Sequence, residues 1–203
     1  MKKVLSEDDR PLPGLRERKK AKTRSAIQRE ALRLFREQGY DATTINQIAE
    51  AVEISPSTFF RYFPSKEDVV LYDDLDPLLI ESFESQPPEL TPLQAFRKAL
   101  RIVYVTLSRE ALDEQRERTL LTLQVPELRM RMLEQVVGAV DLFSGVVGRR
   151  MGRSADDLEV RAFVGAVLGA LLAVLLTGAR DPDADYLTLM DDGLAYIEAG
   201  MPL

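Results

Sequence analysis

Ser55, Ser57 and Thr58 place three short hydroxyls within one turn of chain, and Phe60, Arg61 and Tyr62 follow one turn later. That is the equipment with which a helix enters the major groove of duplex DNA. Base edges there present distinguishable donors and acceptors, and phosphates flank both sides. Pro56 suits the first helical position, where its missing N–H loses no hydrogen bond. Upstream, Thr44 and Asn46 open another short helical run, where a hydroxyl and free backbone N–H groups can seat a phosphate. Lys66 offers a full charge in the same way at a later helix start. Taken singly, each of these residues is a cap or a solvated charge. Their order and spacing define a DNA-reading segment.

The elements that must position these groups are short helices. From Arg24 to Gln38 the apolar residues Ile27, Ala31, Leu32, Leu34 and Phe35 form one stripe, and Gly39 is expected to end the helix in the left-handed conformation. Thr44-x-x-Gln47 has capping-box form. Ile45, Ile48, Ala49 and Val52 supply the buried side of the second helix. Ser55 caps the third, and Ser65 caps a fourth that begins at Lys66. Ile48, Ile54, Phe59 and Phe63 point inward and fix the angle between helices. A cluster of Arg16, Arg18, Lys19, Lys20, Lys22 and Arg24 precedes them, suited to lie along phosphates or to enter the minor groove as a flexible arm.

Phe35 with Gly39, Thr43-Thr44, Ile48-Ala49, Ser55, Phe60, Tyr62-Phe63 and Ser65-Lys66-Glu67 resemble the TetR (TetR/AcrR) family of bacterial transcriptional regulators over about fifty residues from Arg16. The resemblance implies a cytoplasmic homodimer whose last two long helices form a four-helix interface. It also implies a small-molecule pocket whose occupation changes the spacing of two reading heads. Repression of a palindromic operator in double-stranded DNA is inherited from the family in the same way. Two departures stand out. Glu53 occupies the turn position where the family has Gly, and Phe60 stands where it has Tyr, one phenol fewer for phosphate.

Composition sets the remaining bounds. The chain has 203 residues and a net charge of -6, but residues 1–66 carry 14 Lys/Arg against 9 Asp/Glu. The rest holds 13 basic and 24 acidic residues, so a basic contact module is joined to an acidic body. There is no Cys and no His. Thiol chemistry is excluded, and the commonest general base and metal ligand are missing. No Gly-rich phosphate loop, nucleophile elbow or metal-spaced cluster occurs, and Asp73, Asp74 and Asp76 read as a solvated acidic face. No cofactor or metal is expected, and the chain does not read as an enzyme.

Strand signals are nearly absent, so the expected fold is all-α, with about nine helices. A disordered tail (1–15) leads into a three-helix helix-turn-helix domain (16–66), followed by a helical ligand-binding and dimerisation bundle (67–203). Within the bundle one helix is expected over 66–85, kinked or broken at Pro77, and others over 91–112, 116–124, 127–151, 156–177 and 185–199. Residues 162–179 carry no charge over 18 positions, yet two interior glycines, a Thr and the lack of flanking aromatics argue for burial among helices rather than in a membrane. Gly165, Gly169 and Ala173 recur at four-residue spacing and permit close helix approach, with Val164, Leu168, Leu172 and Leu175 filling the core or the dimer interface. Phe96, Tyr104, Leu107, Leu121 and Phe143 are the candidate pocket residues for an organic ligand. Two DNA-binding readings stay open: a ligand-responsive repressor, and an architectural or orphan DNA binder without an inducer.

Overall fold

The computed structural model describes residues 14–73, 75–178, 181 and 184–202. Most of the expected tail and Asp74 lie outside them. Among the described residues there are ten helices and no strand: α1 (Leu15–Gln38), α2 (Ile45–Ala51), α3 (Pro56–Tyr62), α4 (Lys66–Leu71), α5 (Leu75–Glu84), α6 (Pro92–Val105), α7 (Arg109–Gln124), α8 (Pro126–Met151), α9 (Leu158–Gly178) and α10 (Tyr186–Glu198). Internal contacts divide the chain into two units between Val69 and Val70, inside α4, against an expected boundary at Lys66.

In the first unit α1 starts nine residues before the expected Arg24. The basic cluster is therefore helical rather than an extended arm. The Arg, Lys, Ala and Glu residues there are good helix formers that need no apolar stripe to propagate a helix already started. Gly39 has φ +88° with ψ 156°. That is positive φ as expected, but in an extended region open only to glycine rather than the left-handed helical well. Ile27, Ile48, Phe59 and Phe63 are sealed, at 1% exposure or less, whereas Ile54 is only half-buried.

The second unit departs from expectation at two junctions. The 66–85 helix is interrupted at Tyr72–Asp73, four residues before Pro77. A proline ring clashes with the carbonyl four residues back and lacks an N–H, so the break places Pro77 in the first turn of α5, where both penalties vanish. The Leu75 N–H donates to Asp73 Oδ1 at 2.8 Å and starts the new helix. The second junction has no Pro or Gly to announce it. α6 stops at Val105, and Ser108 caps α7 by accepting from the Ala111 N–H at 3.2 Å.

The core of this unit is an aromatic row, Phe83–Phe96–Phe143, with centroid separations of 6.5 and 6.3 Å. Valines of α8 and α9 and Leu194 of α10 surround it. Arg97 binds Asp191 at 3.0 Å and also Glu198, lashing α6 to α10. Arg150 donates to the carbonyls of Gln86, Pro87 and Leu90, so the end of α8 satisfies the Pro-rich turn before α6. α9 is long and apolar enough to span a membrane. Its Val160, Val164, Val167 and Val174 are buried inside this unit, but only 22% of its apolar stretch is.

Candidate functional site

α2 and α3 are held by caps that the local sequence dictates. The Gln47 N–H donates to Thr44 Oγ1 at 3.2 Å and the Thr44 N–H to Gln47 Oε1 at 2.8 Å. The Thr58 N–H donates to Ser55 Oγ at 3.1 Å, with Pro56 at the first helical position. Ser55 Oγ lies 2.9 Å from both Ser57 Oγ and Thr58 Oγ1. The three hydroxyls therefore form one cluster at the N-terminus of α3.

Between these helices the turn is closed by two reciprocal bonds, Ile54 N–H to Ala49 carbonyl at 2.9 Å and Glu53 N–H to Glu50 carbonyl at 3.0 Å. This is a Schellman motif, whose first residue past the cap must be left-handed. Glu53 is, at φ +57°. The strain of a non-glycine there is about 1–2 kcal/mol, and glycine returns about 0.5–1 kcal/mol through its greater unfolded-chain freedom. Glu53→Gly is therefore expected to stabilise the first unit by about 0.5–1 kcal/mol. A urea titration followed by circular dichroism checks it, and a lower midpoint would show that Glu53 contributes a compensating contact.

The α3 face has two sides. Phe59 is fully buried and Phe63 nearly so, while Phe60 is 51% exposed and Arg61 is exposed. The Arg61 guanidinium lies over the half-buried Tyr62 ring, 5.5 Å from its centroid. Ser55, Pro56, Ser57, Thr44 and Asn46 are exposed and Thr58 is half-buried. Nine of the ten expected DNA-contact residues thus sit on α2, α3 and their caps, with side chains open at least in part.

Lys66 is placed differently from expectation. Its ammonium donates to the Tyr40 carbonyl at 2.8 Å and the Thr43 carbonyl at 3.2 Å, and sits 4.0 Å from the Tyr40 ring centroid. Two of its three N–H groups are spent inside the unit, fastening the start of α4 to the turn after α1. Tyr40 Oη donates to Glu67 Oε1 at 2.9 Å. Burial pushes the Glu67 carboxyl up. Its backbone N–H, the Ser65 and Tyr40 hydroxyls and the Lys66 charge together outweigh that and hold it below the usual carboxylate range.

In the second unit, a cavity of about 790 Å³ opens between α6, α7, α9 and α10. Tyr104 and Leu107 line it as expected, but Phe96, Phe143 and Leu121 do not. Phe96 and Phe143 are 6% and 8% exposed in the aromatic row. Helical spacing marks a core residue and a cavity residue alike, so the sequence could not separate them. The polar lining was missed: Gln115, Arg116, Thr119, Asp185 and Tyr186 come from α7 and α10, which no local pattern brings together.

The dimer candidates also divide. Val164 is 3% exposed and belongs to the core of its own unit, and Leu175 lines the cavity. Leu168 and Leu172 are half-buried. Gly165 and Gly169 are exposed and continue with Ala162, Ala166, Ala173 and Leu176 into an uncovered stripe of small apolar residues on α9.

A capped, hydroxyl-lined helix held at a fixed angle behind a short partner helix, in an all-helical chain with a second, larger bundle, defines a helix-turn-helix transcription regulator. Residues 27–72 match the family described as bacterial regulatory proteins, tetR family, and residues 90–202 match the MftR C-terminal domain. The chain belongs to the TetR family of DNA-binding transcriptional regulators.

It is 50% identical over 93 residues to the HTH-type transcriptional regulator TcmR of Streptomyces glaucescens, covering 45% of this chain and 41% of that one. The match thus spans about two-fifths of TcmR. The putative mycofactocin biosynthesis transcriptional regulator MftR of Mycobacterium tuberculosis is 24% identical over 189 residues, 91% of this chain and 93% of that one. The solved structure of Thermus thermophilus FadR, a TetR-family transcriptional repressor in complex with lauroyl-CoA, superposes with a TM-score of 0.56 at 24% identity, covering 89% and 95% of the two chains. These relatives are transcriptional regulators, not enzymes.

Proposed function

We propose that the chain is a ligand-responsive repressor that binds a palindromic operator as a homodimer, reads it with α3, and releases it when the second unit's cavity is occupied. The observation that carries this reading is the cavity's link to the end of α4. Gln115 lines the cavity and donates through Nε2 to Asp73 Oδ2 at 3.3 Å, at the break between α4 and α5. Arg118, one turn along α7, donates to the Tyr72 carbonyl at 3.2 Å and to Gln115 Oε1. A ligand that claims the Gln115 amide therefore competes with the bonds that hold the break. Its effect on operator affinity equals its differential affinity for the two arrangements.

The uncovered Gly/Ala stripe of α9 supports the dimer, because small side chains let two helices approach closely and bury an otherwise wet apolar face. Two copies also present two α3 helices to half-sites about 34–36 Å apart. That the FadR structure holds lauroyl-CoA supports an organic ligand for this fold.

Selection from a randomised duplex pool, followed by mass measurement of the complex, tests the reading. A palindrome bound by an even number of copies is expected. An undifferentiated pool, or one copy per duplex, rejects it in favour of an architectural binder.

A further inference from the structure

Gln28 is a polar residue on an apolar stripe. It shares the buried face of α1 with Ala31, Leu32 and Phe35, at the spacing of one helix face, and is itself only 8% exposed. Leu or Met would fill similar space, and burying an amide is unfavourable unless its polar groups are bonded. The amide has a specific task. Its Nε2 donates to the Val69 carbonyl at 3.0 Å, a buried bond between residues 41 positions apart.

Val69 lies in the last turn of α4, where carbonyls run out of N–H partners within their own helix. One turn later Arg118 donates to the Tyr72 carbonyl at 3.2 Å, and Gln115 donates to Asp73 Oδ2 at 3.3 Å. Val69 closes the first unit, whereas Tyr72 and Asp73 belong to the second. The backbone from Val69 to Asp73 is therefore gripped at both ends by side-chain donors, from α1 in one unit and from α7 in the other.

The start of α4 is fastened elsewhere, by Lys66 and Glu67 to the turn after α1. α1 in turn holds the reading head. Gln38 Nε2 donates to Thr43 Oγ1 at 3.1 Å and to Gln47 Oε1 on α2 at 3.3 Å, and α2 packs on α3. A displacement at Tyr72 has one helical turn of backbone to cross before it meets the Gln28 amide.

We infer that Gln28 is a positioning residue of the repressor: it passes a change at the α4–α5 break to α1, and through α1 to the setting of α2 and α3. The operator consequence rests on the function proposed above, but the coupling itself is a property of the chain without DNA. A side chain that cannot hold the Val69 carbonyl uncouples the break from the head even where the fold survives.

A double-mutant cycle tests this. Arg118→Met frees the Tyr72 carbonyl, and Gln28→Met frees that of Val69. Two readouts are taken on the full chain: hydrogen exchange of the Ile48 and Phe59 amides without DNA, and affinity for the selected operator. In the wild-type background Arg118→Met is expected to speed exchange and to weaken operator binding, each about 3- to 10-fold. In the Gln28→Met background it is expected to change either by less than about twofold, the range within which independent substitutions add. Gln28→Met alone also speeds exchange, by about 5- to 30-fold. A merely structural glutamine would do the same, yet would leave Arg118→Met its full effect. Gln28→Asn keeps the amide but falls a methylene short of the carbonyl; it is expected to uncouple in the same way and replaces Gln28→Met if that variant does not fold. An Arg118→Met effect of equal size in both backgrounds, or none in the wild type, overturns the inference while operator selection stands. No selected operator, with the exchange cycle still non-additive, removes the repressor reading and leaves Gln28 as the link between the break and α1.

Discussion

Replacing Arg61 with Ala is expected to lower operator affinity by at least about 30-fold without unfolding the protein. The guanidinium is exposed on the last turn of α3 and rests over the Tyr62 ring at 5.5 Å. A cation–π contact at an exposed site contributes about 0.5–1 kcal/mol, so stability should fall by less than that. A bidentate arginine contact to a base edge contributes about 1–3 kcal/mol of discrimination. In a symmetric dimer the substitution acts at both half-sites, giving about 2–6 kcal/mol in total, which the stability term cannot imitate.

Arg61→Lys separates the two ways in which the side chain can act. Lysine keeps the charge but not the planar fork. A phosphate contact would survive the change nearly intact, with its salt dependence, whereas a base contact would be lost and preference would relax at one position in each half-site. Titration of the selected operator at several salt concentrations reads both. Wild-type affinity and an unaltered salt slope in Arg61→Ala would remove Arg61 from the reading face and leave the hydroxyl cluster, Pro56, Phe60 and Tyr62 as the candidates on α3.

The reading head was legible because its determinants are local. Thr44 with Gln47, Ser55 with Thr58 and Ser65 with Asp68 are pairs three residues apart, and each forms the cap its spacing dictates. The Schellman turn at Glu53 was legible only as a departure from the family's Gly, because nothing short of the backbone tells whether a glutamate accepts positive φ. The second unit was less so. Its cavity assembles side chains about eighty residues apart, Tyr104 and Tyr186, and neither neighbourhood differs in pattern from that of Phe96 or Phe143. The α6–α7 junction is set by a serine cap in a polar stretch, a signal no stronger than other serines give. The α9 helix was recognisable as apolar all round. Which stripe faces inward depends on where α8 and α10 pack, and that placed Val164 inside and Gly165 outside.

Lys66→Met is expected to destabilise the first unit by about 2–3 kcal/mol, a larger loss than any exposed lysine gives, since surface charges contribute about 0–1 kcal/mol. Methionine keeps the aliphatic stem and removes the ammonium. Of the two carbonyls the ammonium serves, that of Tyr40 keeps the Thr43 N–H as a donor at 3.2 Å. The Thr43 carbonyl loses its ammonium donor beside a residue only 1% exposed. Loss of a charged hydrogen bond there costs about 1.5–3 kcal/mol and the Tyr40 ring contact about 0.5–1 kcal/mol more, reduced by the partial exposure of Lys66. Hydrogen exchange of the Ile48 and Phe59 amides in the full chain reports this unit separately, and about 30- to 150-fold faster exchange is expected. DNA binding supplies the second readout. With two of three N–H groups committed inside the protein, the salt slope of operator binding should be unchanged, whereas a side chain seated on phosphate would lower it by about one per half-site. Unchanged exchange together with a reduced slope would reverse the assignment and make Lys66 a phosphate contact first and a clamp second.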